Sequence, residues 1–230
     1  MNSVRNSFRG NLPAVTKNII IINGIVWLAQ FVLLHKAGID LSQQFGLHFI
    51  ASEGFHIYQP ITYMFLHDPV SFSHVFFNMF AVFMFGRTLE QIWGAKRFLT
   101  YYLVTGIGAG LVQMLVLYLR IESAVPQEMF PLVNSVTVGA SGAVFGILLA
   151  FGILFPNAEL FIIPFPFPIK AKWFVIGYGV LELIFGVANR SGDNVAHFAH
   201  LGGMLFGIFM ILYWKKKEKR DGRFYGDFEI

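Results

Sequence analysis

The chain has 230 residues, 56% of them hydrophobic and only 13% charged, with a net charge of +4 and a mean hydropathy of +0.61. A soluble domain usually carries about 25% charged residues, so this composition excludes a nucleic-acid-binding module, whose basic patch needs a mostly polar surface, and it excludes a disordered chain. The absence of cysteine removes disulfides, thiol nucleophiles and thiolate metal sites, and a polytopic membrane protein remains.

The first ten residues read MNSVRNSFRG, with two arginines and no small-x-small cleavage site after them, so the first apolar stretch reads as a retained helix. That stretch covers 19–34. A long outer segment, 35–73, then carries His35, His48, His56 and His67 among Phe, Ile and Tyr, a mixture suited to the membrane interface. The second stretch, 74–86, is short, and its helix is expected to continue toward Glu90. The third covers 98–119 and leads into an outer loop, 121–137, punctuated by Pro126 and Pro131. The fourth covers 138–155. Residues 156–170 contain Pro156, Pro164, Pro166 and Pro168 and are expected to form an irregular inner connection. The fifth stretch covers 173–188 and the sixth 195–214, and from Lys215 the chain reads as a solvated basic tail.

Six spans with both termini cytoplasmic place 14 of the 17 basic residues inside and leave Lys36, Arg120 and Arg190 outside. This is the asymmetry of the positive-inside rule, and an odd number of spans would destroy it. The expected fold class is all-α: a short cytoplasmic N-terminal segment over 1–18, a six-helix membrane domain over 19–214 and a basic cytoplasmic tail over 215–230. No internal repeat or second domain is visible.

Polar residues inside such a bundle must be satisfied there, which makes them informative. His74 and Asn78, four apart in SHVFFN, share one helical face. His197 and His200 lie three apart in NVAHFAHLGG on the last span. GASG, 139–142, sets Ser141 among glycines where the fourth span begins. All three features fall on the outer side of the membrane. A serine needs a base to become a nucleophile, and histidine is the usual one near neutral pH. Gly139, Gly142 and Gly146 on one side, with Gly203 and Gly207 on the other, permit the close backbone approach that a Ser141–His200 hydrogen bond requires. Ser141 opens a helix whose free N–H groups can meet an oxyanion, and His74 and Asn78 can add donors.

Blander readings stand beside this one. Ser141 can be a packing residue, His74 and Asn78 a structural interhelical bond, and His197 a side chain facing the interface. His74, His197 and His200 could ligate a first-row metal, although the carboxylate or thiolate that usually completes such a site is not at hand. Asp193 is seven residues from His200, too far to assume contact. Glu182 sits near the middle of the fifth span and could be a structural hydrogen bond or a gating element. A dyad is the expectation rather than a triad.

At these residues the chain resembles the rhomboid family of intramembrane serine proteases in its six-helix bacterial form, over roughly 15–214. The pieces occur in the family's order: YQPITYMFLH (58–67), HVFFN (74–78), GRTLEQIWG (86–94), GASG (139–142) and AHLGGMLFG (199–207). The resemblance implies a six-transmembrane-helix rhomboid-like bundle with Ser141 as nucleophile and His200 as base. His74, Asn78 and the Ser141 backbone N–H would form the oxyanion hole, with Gly139 shaping its approach. Gly203 and Gly207 would be the closely packed glycines, and Phe145 would pack on His200 where some members have Tyr. His197 would support the site, Arg87 and Glu90 would anchor the inner connection, and the fifth helix with loop 189–194 would be gate and cap. Two further departures are the seven-residue spacing from His67 to His74 and Tyr58-Gln59 where some relatives have Trp-Arg.

The resemblance implies membrane-protein substrates with a transmembrane helix, a lipid bilayer as surroundings, no nucleic acid and neither metal nor cofactor. It implies a bacterial inner membrane, cytoplasmic termini and a site opening outward. The competing expectations are a non-catalytic escort of membrane helices and a small transporter relaying protons through Glu182 and the histidines. The missing inverted repeat weighs against the transporter.

Overall fold

The computed structural model describes residues 11–161, 167–188 and 196–220. Arg5, Arg9, Pro164, Pro166, Arg190, Asp193, the expected cap at 189–194 and the tail beyond Arg220 lie outside the described residues.

The first apolar stretch folds as α1 (Ala14–Ala37), longer at both ends than 19–34. Its start is set from a distance. The Glu90 carboxylate accepts from the backbone N–H groups of Val15 and Thr16 at 2.9 and 2.7 Å and from the Thr16 hydroxyl at 2.7 Å, satisfying donors that a first helical turn leaves unpaired. Gly38, left-handed at φ 65°, ends the helix.

The segment over 35–73, expected at the outer interface, is built from short elements. It holds α2 (Leu41–Phe45), whose Asp40 cap accepts from the Ser42 N–H at 2.8 Å, then β1 (Leu47–His48), α3 (Gln59–Thr62) and a 3-10 turn over Tyr63–Phe65. The expected short second span is one continuous helical run: α4 (Phe72–Ala81), a π-helical turn over Val82–Gly86 and α5 (Arg87–Trp93), reaching Glu90 and beyond. The third is α6 (Ala95–Ser123).

The expected loop 121–137 is corrected in its middle to a helix, α7 (Pro126–Val133), because Pro126 occupies a first-turn position where its missing N–H costs nothing. β2 (Val136–Thr137) then pairs antiparallel with β1, Leu47 opposite Thr137. The fourth span is shorter than 138–155: α8 runs Ser141–Leu154. The connection over 156–170, expected to be irregular, is corrected where its described ends form an antiparallel pair, β3 (Glu159–Leu160) with β4 (Ile169–Lys170). Finally come α9 (Ala171–Ala188) and α10 (His197–Arg220). The basic tail is therefore helical through Arg220. Arg97 explains part of this, bonding Glu218 at 2.5 Å and lying 4.1 Å over the Trp214 ring.

The molecule is an all-α polytopic membrane bundle, and among the described residues four helices (α1, α6, α9 and α10) are long and apolar enough to cross a membrane. Its outer faces carry apolar side chains such as Ile25 at 63% and Val187 at 71% exposure. The interior holds Thr16, Asn23, Gln30, Gln59 and Thr105, each at most 1% exposed. That inversion suits a chain whose solvent is hydrocarbon. The packed centre lies where α6, α8 and α10 meet. A side chain on Gly203 would collide with the Gly142 carbonyl, and one on Gly142 with the Ala109 side chain. The glycine stripe is shared with α6 rather than confined to one helix pair, since Gly146 faces Thr105 and Gly207 faces the Tyr101 hydroxyl.

Candidate active site

Three local devices set Ser141. β2 is pinned to β1, the Gly139 N–H donates to the Tyr63 carbonyl at 3.0 Å, and α8 begins at Ser141 itself. Gly139 has φ +133°, a conformation L side chains rarely adopt. It also has no room for one: a Cβ there would stand 3.1 Å from His74 Nε2 and 3.5 Å from Ser141 Oγ. His74 and Ser141 therefore converge on one point in front of Gly139. As a first-turn residue, Ser141 has a backbone N–H without an intrahelical acceptor, at the positive end of the helix dipole.

His200, 7% exposed, approaches from α10, which the Gly142–Gly203 contact brings against α8. Its Nε2 is 2.8 Å from Ser141 Oγ. Phe145, one turn beyond the serine, stacks on its ring at 4.2 Å and 6°. Behind the ring, His200 Nδ1 is 2.9 Å from Glu182 Oε2, and His197 Nδ1 is 2.6 Å from the same oxygen. The sequence shows no carboxylate obviously placed to orient His200, and the structure supplies one. Glu182 comes from α9, and His197 turns to it instead of to the interface.

An ionised carboxylate only accepts hydrogen bonds. Two imidazole nitrogens on one oxygen must both be donors, which assigns the His200 proton to Nδ1 and leaves Nε2 as the acceptor facing Ser141. His74 is set the other way. The backbone N–H of Asp68 donates to His74 Nδ1 at 3.3 Å, so the neutral ring carries its proton on Nε2, toward Gly139.

Asp68 is itself held by α1. The Trp27 indole donates to the Asp68 carbonyl at 3.1 Å, and Gln30 exchanges two 2.9 Å bonds with the His67 backbone. Asn78 sits one turn from His74 and donates one amide proton to its carbonyl at 2.9 Å, which leaves the second available. His67, in the loop before α4, packs edge-on to His74 at 5.0 Å. Burial, and then the neighbouring His74, push His67 down to about 3, so it stays neutral.

Among the described residues, the group of His, Asp and Glu tight enough to share an ion is Glu182, His197 and His200, with donor atoms within 4.8 Å. His74 is not part of it, which corrects the three-histidine set. Two ligands of a tetrahedral ion stand roughly 3.4 Å apart. The 2.6 and 2.9 Å separations are direct hydrogen bonds. Sequence reasoning missed Gln30 and Trp27, although a Gln in an apolar span was a usable signal.

A family model described as the Rhomboid domain matches residues 54–217. The chain belongs to the rhomboid family. It is 30% identical to Rhomboid-like protein 11, chloroplastic, of Arabidopsis thaliana, over 82% of this chain and 64% of that protein. It is 32% identical to Rhomboid protein 1, mitochondrial, of Saccharomyces cerevisiae, over 65% of this chain and 40% of that protein. It is 27% identical to Rhomboid protease AarA of Providencia stuartii, over 90% and 75%. The chain thus spans under two thirds of the length of the first two relatives. The rhomboid match contains every residue converging on Ser141, whereas α1, which holds Asp68 and His67 in place, precedes it.

Proposed function

We propose that this rhomboid-family chain is an intramembrane serine endopeptidase of the six-transmembrane-helix bacterial form, cutting peptide bonds in or near transmembrane helices of membrane-protein substrates. The observation that carries the reading is the 2.8 Å approach of Ser141 Oγ to His200 Nε2, on the nitrogen left free to accept. A relative named as a rhomboid protease adds support.

Ser141 Oγ attacks the substrate carbonyl as its proton passes to His200 Nε2. The tetrahedral oxyanion is met by His74 Nε2–H, the free Asn78 amide proton and the Ser141 backbone N–H, with Gly139 leaving the space. Collapse breaks the C–N bond, and His200 returns its proton to the departing amine. Water then attacks the acyl-enzyme, losing a proton to His200; the acyl C–Oγ bond breaks as His200 returns that proton to Ser141 Oγ, and the second product leaves as a carboxylic acid. Phe145 and His197 hold the base, and Gly203 and Gly207 hold the helices close. No step calls for a metal or cofactor.

In the same proposal α1, the run from Phe72 to Trp93, α6, α8, α9 and α10 are the six spans of a membrane domain over 19–214, flanked by cytoplasmic segments 1–18 and 215–230 in a bacterial inner membrane. Helix α8, with 14 residues, is about 21 Å long against a hydrocarbon core of about 30 Å. Ser141 then lies below the outer surface, in a recess that hydrolytic water must enter.

The test reconstitutes the purified chain in liposomes with a tagged single-helix substrate. The intact chain is expected to produce two fragments, and Ser141→Ala none while melting at the same temperature. Undiminished cleavage by Ser141→Ala would reject the nucleophile.

A further inference from the structure

The face of α9 turned to α10 is made of Gly179, Glu182 and Gly186, spaced at i, i+3 and i+7. A Cβ on Gly179 would stand 3.3 Å from Met204, and one on Gly186 3.0 Å from the Phe198 ring. Small residues above and below thus let α9 approach α10 closely. The side chain between them is a carboxylate, 8% exposed, on a helix whose other faces are open: Leu181, Leu183 and Ile184 are each about half exposed. A carboxylate within a span is expensive unless satisfied. Here one oxygen takes both imidazole N–H groups, from His197 and His200. Close helix packing alone would be served by a third small residue at 182.

We infer that Glu182 is a positioning residue for the general base, fixing His200 in the tautomer and ring orientation that present Nε2 to Ser141. The inference rests on the reading of Ser141 and His200 above. Glu182 touches no reacting atom. It acts through His200 by accepting from Nδ1–H, which keeps the proton off Nε2 and stabilises the imidazolium formed when Nε2 takes the serine proton. Because the carboxylate comes from α9 and the base from α10, the base is set only while the two helices are docked. Arg120 braces that docking at the outer end, donating to the Gly186 carbonyl at 3.3 Å with its guanidinium 5.8 Å from the Phe198 ring. The other polar groups around the ring are Ser141 from α8, His197 from its own turn and, across Ser141, His74 from α4.

The test compares the full chain with Glu182→Gln, Glu182→Asp and Ser141→Ala in proteoliposomes, taking rates on the monodisperse fraction. It measures kcat and KM for the tagged single-helix substrate, and the rate at which a small fluorophosphonate phosphonylates Ser141, displacing fluoride. The expected result for Glu182→Gln is a kcat lower by about 10–100-fold with KM within twofold, and fluorophosphonate labelling slowed by a similar factor. Glu182→Asp is expected to restore part of both, since it keeps an acceptor-only group. If Glu182→Gln does not fold, the same two rates in Glu182→Asp decide, being lowered together with KM unchanged. Intact labelling and kcat in Glu182→Gln, or a change in KM alone, would overturn the inference and leave Glu182 as helix glue. Persistent cleavage by Ser141→Ala would instead reject the nucleophile, a separable outcome.

Discussion

His74 and His200 approach the same serine from two different helices, α4 and α10, and what lies behind each ring differs. Behind His200 is a carboxylate, which can only accept, so the nitrogen facing the serine is an acceptor. Behind His74 is the backbone N–H of Asp68, which can only donate, so the nitrogen facing Gly139 is a donor. In the proposed function, the same side chain serves as a base on one side and as an oxyanion donor on the other. The supports differ too: His200 is set by a neighbouring helix, His74 by a loop that Trp27 and Gln30 of α1 hold in place.

The largest expected effect breaks the base side. His200→Ala should lower kcat by about 10⁴–10⁶-fold, the scale seen when a serine–histidine unit is dismantled, as measured by substrate cleavage in proteoliposomes. On the donor side, His74→Ala should lower kcat by about 10²–10³-fold and leave KM nearly constant, because an oxyanion donor acts mainly in the transition state. A loss as large as that for His200→Ala would mean that the two rings do not divide the roles. Gly203→Ala tests the approach on which the base depends. Its methyl has no space against the Gly142 carbonyl, so stability should fall by about 1–3 kcal/mol, read as a lower melting temperature with activity lost in proportion.

The sequence pattern already contained the base side's glycines and most of the helices, since apolar runs and small-residue spacing are local signals. It did not contain the partner of His200. Glu182 is 18 positions away on another helix, and only the rotation of α9 decides whether its carboxylate meets a ring or a lipid. The donor side was half legible. His74 and Asn78 announce a shared face by their spacing, but the Asp68 amide that sets the His74 tautomer is a backbone group, invisible in composition. The segment 35–73 hid α2 and α3 for a related reason: α2 is fixed by its Asp40 cap and α3 by Gln59 and Thr62 side-chain bonds to the backbone of Gln44, Phe45, His48 and Gly54, not by hydrophobic period. In 121–137, Pro126 was read as punctuation although it starts a helix.

Two smaller effects sharpen the donor side. Gln30→Leu removes both bonds to the His67 backbone, and a roughly three- to tenfold fall in kcat is expected, smaller than for His74→Ala because the groups left unpaired cost about 1–3 kcal/mol in a loop that can relax. His67 gives a pH signature. Its folded value near 3 lies below the ordinary 6.5, so the unfolded chain binds the extra proton, and stability is lost as pH falls from about 6.5 toward 3. Melting temperatures across that range should fall less steeply in His67→Gln than in the unaltered chain.

The division of roles is tested most directly by the ¹⁵N resonances of the seven histidines near neutral pH, assigned by single substitutions. His200 should carry its proton on Nδ1 and His74 on Nε2. The same tautomer at both rings, or a proton on Nε2 of His200, would contradict the account.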